Sequence, residues 1–141
     1  MMLQVLICGL LAFTPQPKSA DCRISFYNLQ AARGNLYVAV YDAPYDFLNT
    51  QKVKAKQNVP VTKTGAIELS FPGLPPGRYA VSCFHDLNGN GTLDTNMWGI
   101  PTEPYGFSNN ARPMHRAPNW EEASFSLTEN GNALKIRLET W

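Results

Sequence analysis

The chain has 141 residues and a formal net charge of +1, from 12 basic and 11 acidic side chains. That length holds one domain with a core of its own and is short for two. So even a balance argues against a basic nucleic-acid surface or an acidic tail, and no nucleic-acid partner is expected.

Met1 to Ala20 is different material from the rest. An apolar run from Leu3 to Phe13, broken by Gln4 and Gly9, leads through Pro15, Pro17 and Lys18 to the small residues Ser19 and Ala20. Residues 1–20 therefore read as a secretory signal peptide cleaved near Ala20, although no basic residue precedes the apolar run. A membrane-spanning helix needs about 20 apolar residues. No stable span is expected after cleavage, and the chain is expected to be secreted or periplasmic. Residues 21–141 form the expected domain, with 11 basic and 11 acidic side chains once Lys18 is removed. Cys8 leaves with the leader. Cys22 and Cys83 remain, and in an oxidising compartment they are expected to pair as a disulfide. The alternative is a buried free Cys83.

The domain reads as strands in chain order. Arg23 to Leu29 alternates, with Ile24 and Phe26 on one face, and Leu36 to Asp42 alternates again, with Leu36, Val38 and Val40 opposite Tyr37, Ala39 and Tyr41. Pro44 has no N–H for a central ladder. Ala43 to Asn49 is expected to make one helical turn, with Tyr45, Phe47 and Leu48 as core caps. In Gln51 to Lys63, the lysines 52, 54 and 56 share a face, the mark of a solvated face or a guarded edge strand. Gly65 to Phe71 is a further strand, and a Pro- and Gly-rich turn through Gly77 leads into Tyr79 to Asp86, apolar enough to be central. After a long loop, Asn119 and Glu122 form a capping-box-like start to a short helix. Ser124 to Leu127 and Ala133 to Thr140 complete the set. The expected fold is all-β, a single antiparallel Greek-key β-sandwich of about seven strands with one long elaborated loop, residues 85–110.

That loop holds the residues that could carry chemistry. Asp86, Asn88, Asn90, Thr92 and Asp94 follow the front half of a calcium loop, because a hard cation wants six to eight oxygens and alternate side chains of a wound loop converge. Met97 stands where an EF-hand has its bidentate Glu, so an EF-hand is rejected. Weak Ca2+ binding and no cofactor at all are both kept open, the second because Asn-Gly is the strongest hairpin-turn dipeptide. In the following half, Trp98, Glu103, Tyr105, Phe107, Ser108, Asn109 and Asn110, with His85 at the start, place aromatic walls beside polar groups. That mixture suits a small molecule or a glycan, and it equally suits a loop packed on itself.

The stretch FHDLNGNGTLDTNMWGIPTEPYGFSNNAR, with LYVAVYDAPYDFL and LPPGRYAV, closely resembles the bacterial secreted family known as domain of unknown function 2141. The LPPGRY turn is also similar to one in prealbumin-like and collagen-adhesin B-type sandwiches. The resemblance implies an exported sandwich and brings no activity, substrate or cofactor. Read from the residues, zinc, serine-hydrolase and dinucleotide motifs are missing. The expected function is a non-enzymatic binding or structural module of the cell envelope, with a small molecule, a glycan or an envelope protein as partner. The alternative is a small periplasmic hydrolase using Glu103 or Asp86 with His85.

Overall fold

The computed structural model describes residues 14, 15 and 19–141. The expected leader thus lies outside the described residues apart from Thr14, Pro15, Ser19 and Ala20. The described chain folds into eight strands: β1 (Ala20–Leu29), β2 (Asn35–Tyr41), β3 (Ala55–Pro60), β4 (Gly65–Leu74), β5 (Gly77–Asp86), β6 (Tyr105–Phe107), β7 (Phe125–Leu127) and β8 (Asn132–Arg137). They form two sheets: β4-β1-β8, and β3-β2-β5-β6 with β7 paired to the start of β5. The all-β sandwich follows from the alternation, and the eighth strand, β6, comes from the stretch read as loop. One pairing departs from the antiparallel expectation: β1 and β8 run parallel, from Cys22 beside Asn132 to Tyr27 beside Arg137.

Between the sheets lies the core, built from the inward half of each alternation: Ile24 and Phe26 from β1, Leu36, Val38 and Val40 from β2, Val81 from β5, Ile136 from β8. The turn into β5 is fixed by Tyr79, whose hydroxyl donates to the Pro75 carbonyl at 2.6 Å. A tyrosine bonded back to its own preceding turn locks a sandwich corner. On one side the sandwich closes, because Tyr105 of β6 bridges to Glu139 just beyond β8. Gly106 makes the closure feasible, since a Cβ there would collide with the Arg137 carbonyl.

The expected Cys22–Cys83 disulfide is not formed; both thiols are free and buried. Cys22 sits on β1 and Cys83 on β5, in facing sheets. The Cys83 thiol donates instead to the Gly106 carbonyl of its own sheet at 3.5 Å. Burial, with the Asp21 charge nearby, pushes the Cys22 thiol up to about 11, and full burial raises Cys83 further. Both therefore stay protonated, as small apolar fillers.

A second apolar cluster covers part of the outer face of the larger sheet. Tyr41 and Ala80 of that face pack under Trp120 and Ala123 of the short helix α1 (Trp120–Ala123), with Phe47 and Leu48 against them. The segment after β2 does make one helical turn, Pro44–Asp46. Phe47 then stands edge-on to both Tyr41 and Trp120. Tyr45, expected as a third cap, is 97% exposed. The helix begins as its sequence predicts, with Asn119 and Glu122 completing a reciprocal capping box.

Candidate functional site

The rest of that outer face is open, and its register builds a trough. Across the sheet one row runs Lys56, Ala39, Ser82, Phe107, and the next runs Asn58, Tyr37, Phe84, Tyr105. Two small residues, Ala39 and Ser82, thus lie beside large rings, which leaves depth at the centre. Tyr37 and Phe84 stack with centroids 5.0 Å apart and planes at 5°, and Phe107 meets Tyr105 edge to face at 5.9 Å. Such pairs hold ring orientation beyond what burial alone gives. The resulting groove has a volume of about 1270 Å³, with Leu48 and Val53 at one end and Leu93, Trp98 and Ile100 at the other.

The far wall is the 86–104 excursion, and its shape comes from side chains that replace missing backbone partners. The buried Asp86 accepts from Gly89 N at 2.9 Å through one oxygen and from Gly91 N at 2.8 Å through the other. Asp94 accepts from Asn88 Nδ2 at 2.6 Å and Asn90 Nδ2 at 2.7 Å. Glu103, 4% exposed, staples the ends, with Oε1 accepting from Leu87 N at 2.9 Å and Oε2 from Asp94 N at 3.0 Å. At the tip Asn96 Oδ1 accepts from Trp98 N and Ile100 N, at 2.8 and 3.0 Å. The turn this makes holds Met97 and Trp98 out, 88% and 78% exposed. Short polar side chains bonding nearby backbone are the standard means of building such turns.

Of the residues singled out from sequence, Trp98, Tyr105 and Phe107 line the groove, as does Thr92. His85 does not: it is fully buried, and its Nε2–H donates to the Arg33 carbonyl at 2.7 Å. Ser108, Asn109 and Asn110 form a clamp behind β6. The Ser108 hydroxyl accepts from Val81 N at 2.8 Å and donates to the Ala123 carbonyl. Asn109 Nδ2 reaches the Ser124 carbonyl at 2.8 Å, and Asn110 Oδ1 accepts from Arg137 N at 2.8 Å. Asn109 and Asn110 both take positive φ, a conformation Asn tolerates better than most residues. The groove residues that the loop-centred reading passed over are Tyr37, Phe84 and Lys56. Their signal was present as the second half of each strand's alternation, on the face opposite the core.

For a cation at residues 86–94 the donor geometry matters. Both Asp86 oxygens hold backbone N–H groups, and both amides turn their nitrogens, not their oxygens, toward Asp94. The amide oxygens are used inside the loop as well: Asn88 Oδ1 accepts from Asn90 N, and Asn90 Oδ1 from Thr92 N. Among the described residues no group of three or more His, Cys, Asp or Glu is placed to hold a metal. With both amides presenting nitrogen to Asp94, a calcium ion at this loop would require both to turn over.

Charge around the groove is one-sided. Its charged or basic lining is Lys56, His115 and Arg116, with no Asp or Glu side chain. Arg116 is committed to Glu122 by two bonds of 2.8 Å. That guanidinium, helped by the Asn119 backbone N–H, holds the Glu122 carboxyl down at about 2.

Fold and groove together define an all-β sandwich with a walled aromatic trough on one outer face. Residues 24–135 match a family described as "Uncharacterized protein conserved in bacteria (DUF2141)", and the chain belongs to that family. No curated protein and no solved structure matches it.

Proposed function

We propose that this chain is an exported, non-enzymatic binding module that seats a small molecule with an apolar body on the outer face of the β3-β2-β5-β6 sheet. The groove carries the reading: about 1270 Å³, with Ala39 and Ser82 on its floor between the Tyr37–Phe84 stack and Phe107. Small-molecule sites are concave, mostly apolar and furnished with a few polar groups, in volumes of roughly 300–1,000 Å³. This one is somewhat larger and has the same make-up, with Asn58, Thr92 and Lys56 among its polar groups. Walls at both strand ends favour a compact ligand over an envelope protein or a long glycan. Export rests on the Leu3 to Phe13 run, and kinship with prealbumin-like sandwiches rests on the LPPGRY turn and its Tyr79 corner.

The hydrolase alternative loses its chemistry. Asp86, Glu103 and His85 are buried, none lines the groove, and each carboxylate oxygen already accepts a backbone N–H. To test the binding reading, aromatic and aliphatic fragments are titrated into the protein and followed by amide shift mapping. Shifts should gather at Tyr37, Ala39, Ser82, Phe84 and Trp98, and Trp98→Ala should weaken the best fragment about tenfold without moving the unfolding midpoint, since an exposed side chain carries little folding energy. Shifts scattered over the surface, or gathered elsewhere, would sink the reading.

A further inference from the structure

Resting on the groove reading, we infer that the ligand is an organic acid and that Lys56 recognises its acidic group. The inference comes from charge complementarity within the lining. Of the three lysines spaced by two, Lys52 pairs with Asp46 at 3.7 Å and Lys54 with Asp42 at 3.6 Å. Lys56 has no ion-pair partner among the described residues, and it is the one of the three that lines the groove. Arg116, the other permanent cation of the lining, is neutralised by its fork onto Glu122. His115 leans on Trp141, ring centroids 5.5 Å apart, and the other titratable side chains of the lining are Tyr37, Tyr41, Tyr105 and the buried Cys83.

Position makes that ammonium useful. Lys56 opens the row that continues through Ala39 and Ser82 to Phe107, so its charge stands at the edge of the deepest part of the apolar floor. An acid whose apolar body lies along this row brings its head group to the ammonium. Lys56 is exposed, so that attraction is modest and screened by salt. No Asp or Glu side chain of the lining opposes the acid, and a cationic head group at this position would be repelled by Lys56.

Three probes of equal chain length separate the alternatives: dodecanoate, dodecanol and dodecyltrimethylammonium, each titrated below its aggregation limit and followed by calorimetry. Dodecanoate should bind at least tenfold more tightly than dodecanol in low salt, with the gap narrowing as ionic strength rises. Lys56→Met should erase the gap while leaving dodecanol affinity unchanged, and Lys135→Met, on β8 of the other sheet, should leave it intact. Equal binding of all three probes, tighter binding of the cation, or an acid preference that survives Lys56→Met overturns this inference and leaves the groove reading standing. Failure of all three to bind overturns both.

Discussion

Asp86, Asp94 and Glu103 show how little a residue's type says about its task. Their clustering was legible in the sequence, and so was a wound, oxygen-rich loop. Their use was not, because a carboxylate beside glycines can collect either a cation or backbone N–H groups, and which it does depends on where the chain returns. Glu103 joins the N–H of Leu87 to that of Asp94, a pairing set by the return path through Pro101 and Pro104. Glu103→Gln should therefore cost about 1–3 kcal/mol in denaturant unfolding, because an amide NH2 would face one of those N–H donors and leave it unsatisfied. A loss below the error of the measurement would mean the staple is dispensable. A second residue-scale prediction concerns Glu122, whose carboxyl is depressed from an ordinary 4.5 to about 2 by Arg116 and the Asn119 N–H. A group depressed on folding contributes stability above its unfolded value, and loses it as pH falls through its folded value. The stability gap between the native protein and Glu122→Gln should hold above about pH 4.5 and close toward pH 2. A gap that is constant over this range would place the interaction elsewhere.

Among the elements, α1 and β6 are opposites. The helix was legible because its start is a local rule: Asn119 and Glu122 satisfy each other's backbone donors. Strand β6 has three residues with glycine at its centre, and it exists because Ser82 to Phe84 on one side and Glu139 on the other pair with it. No window of sequence contains those partners. The groove was illegible for the same reason: Ala39, Ser82 and Phe107 become neighbours only when β2, β5 and β6 are in register. The 86–104 excursion lies between these cases, with its turns local and its staple distant. Because its amides already bond Asp94 through nitrogen, unfolding temperature should be the same, within about a degree, in millimolar calcium and in chelator. A cation that binds only the native state must raise stability. A clear rise that is lost in Asp94→Ala would show that the amides turn over to present oxygen, and would restore the calcium loop.

At the scale of the molecule the two sides of the sandwich are unequal. One side is closed by backbone, with Tyr105 and Glu139 exchanging hydrogen bonds of 3.1 and 3.2 Å and Arg112 donating to both carbonyls. On the other side β3 and β4 are both edges and do not pair among the described residues. Gln57 Nε2 reaches across from β3 to the Ser70 carbonyl of β4 at 2.7 Å. Lys52, Lys54 and Lys56 were readable as a solvated face or an edge, since charge discourages pairing with another chain. Nothing in the sequence said which edge would face it. Local opening follows weak pairing and exposure of backbone bonds, so native-state hydrogen exchange should start at this seam. Amides of β3 and β4 should exchange well before those of β1 and β5, each paired on both sides. The groove floor on β2 and β5 then stays formed while the seam breathes, and exchange at Lys56 should slow when a ligand bridges β3 to the floor. Exchange that begins at β6 and Glu139 instead would mean that the backbone bridge is the weaker closure, and that the groove wall at Phe107 opens before the seam.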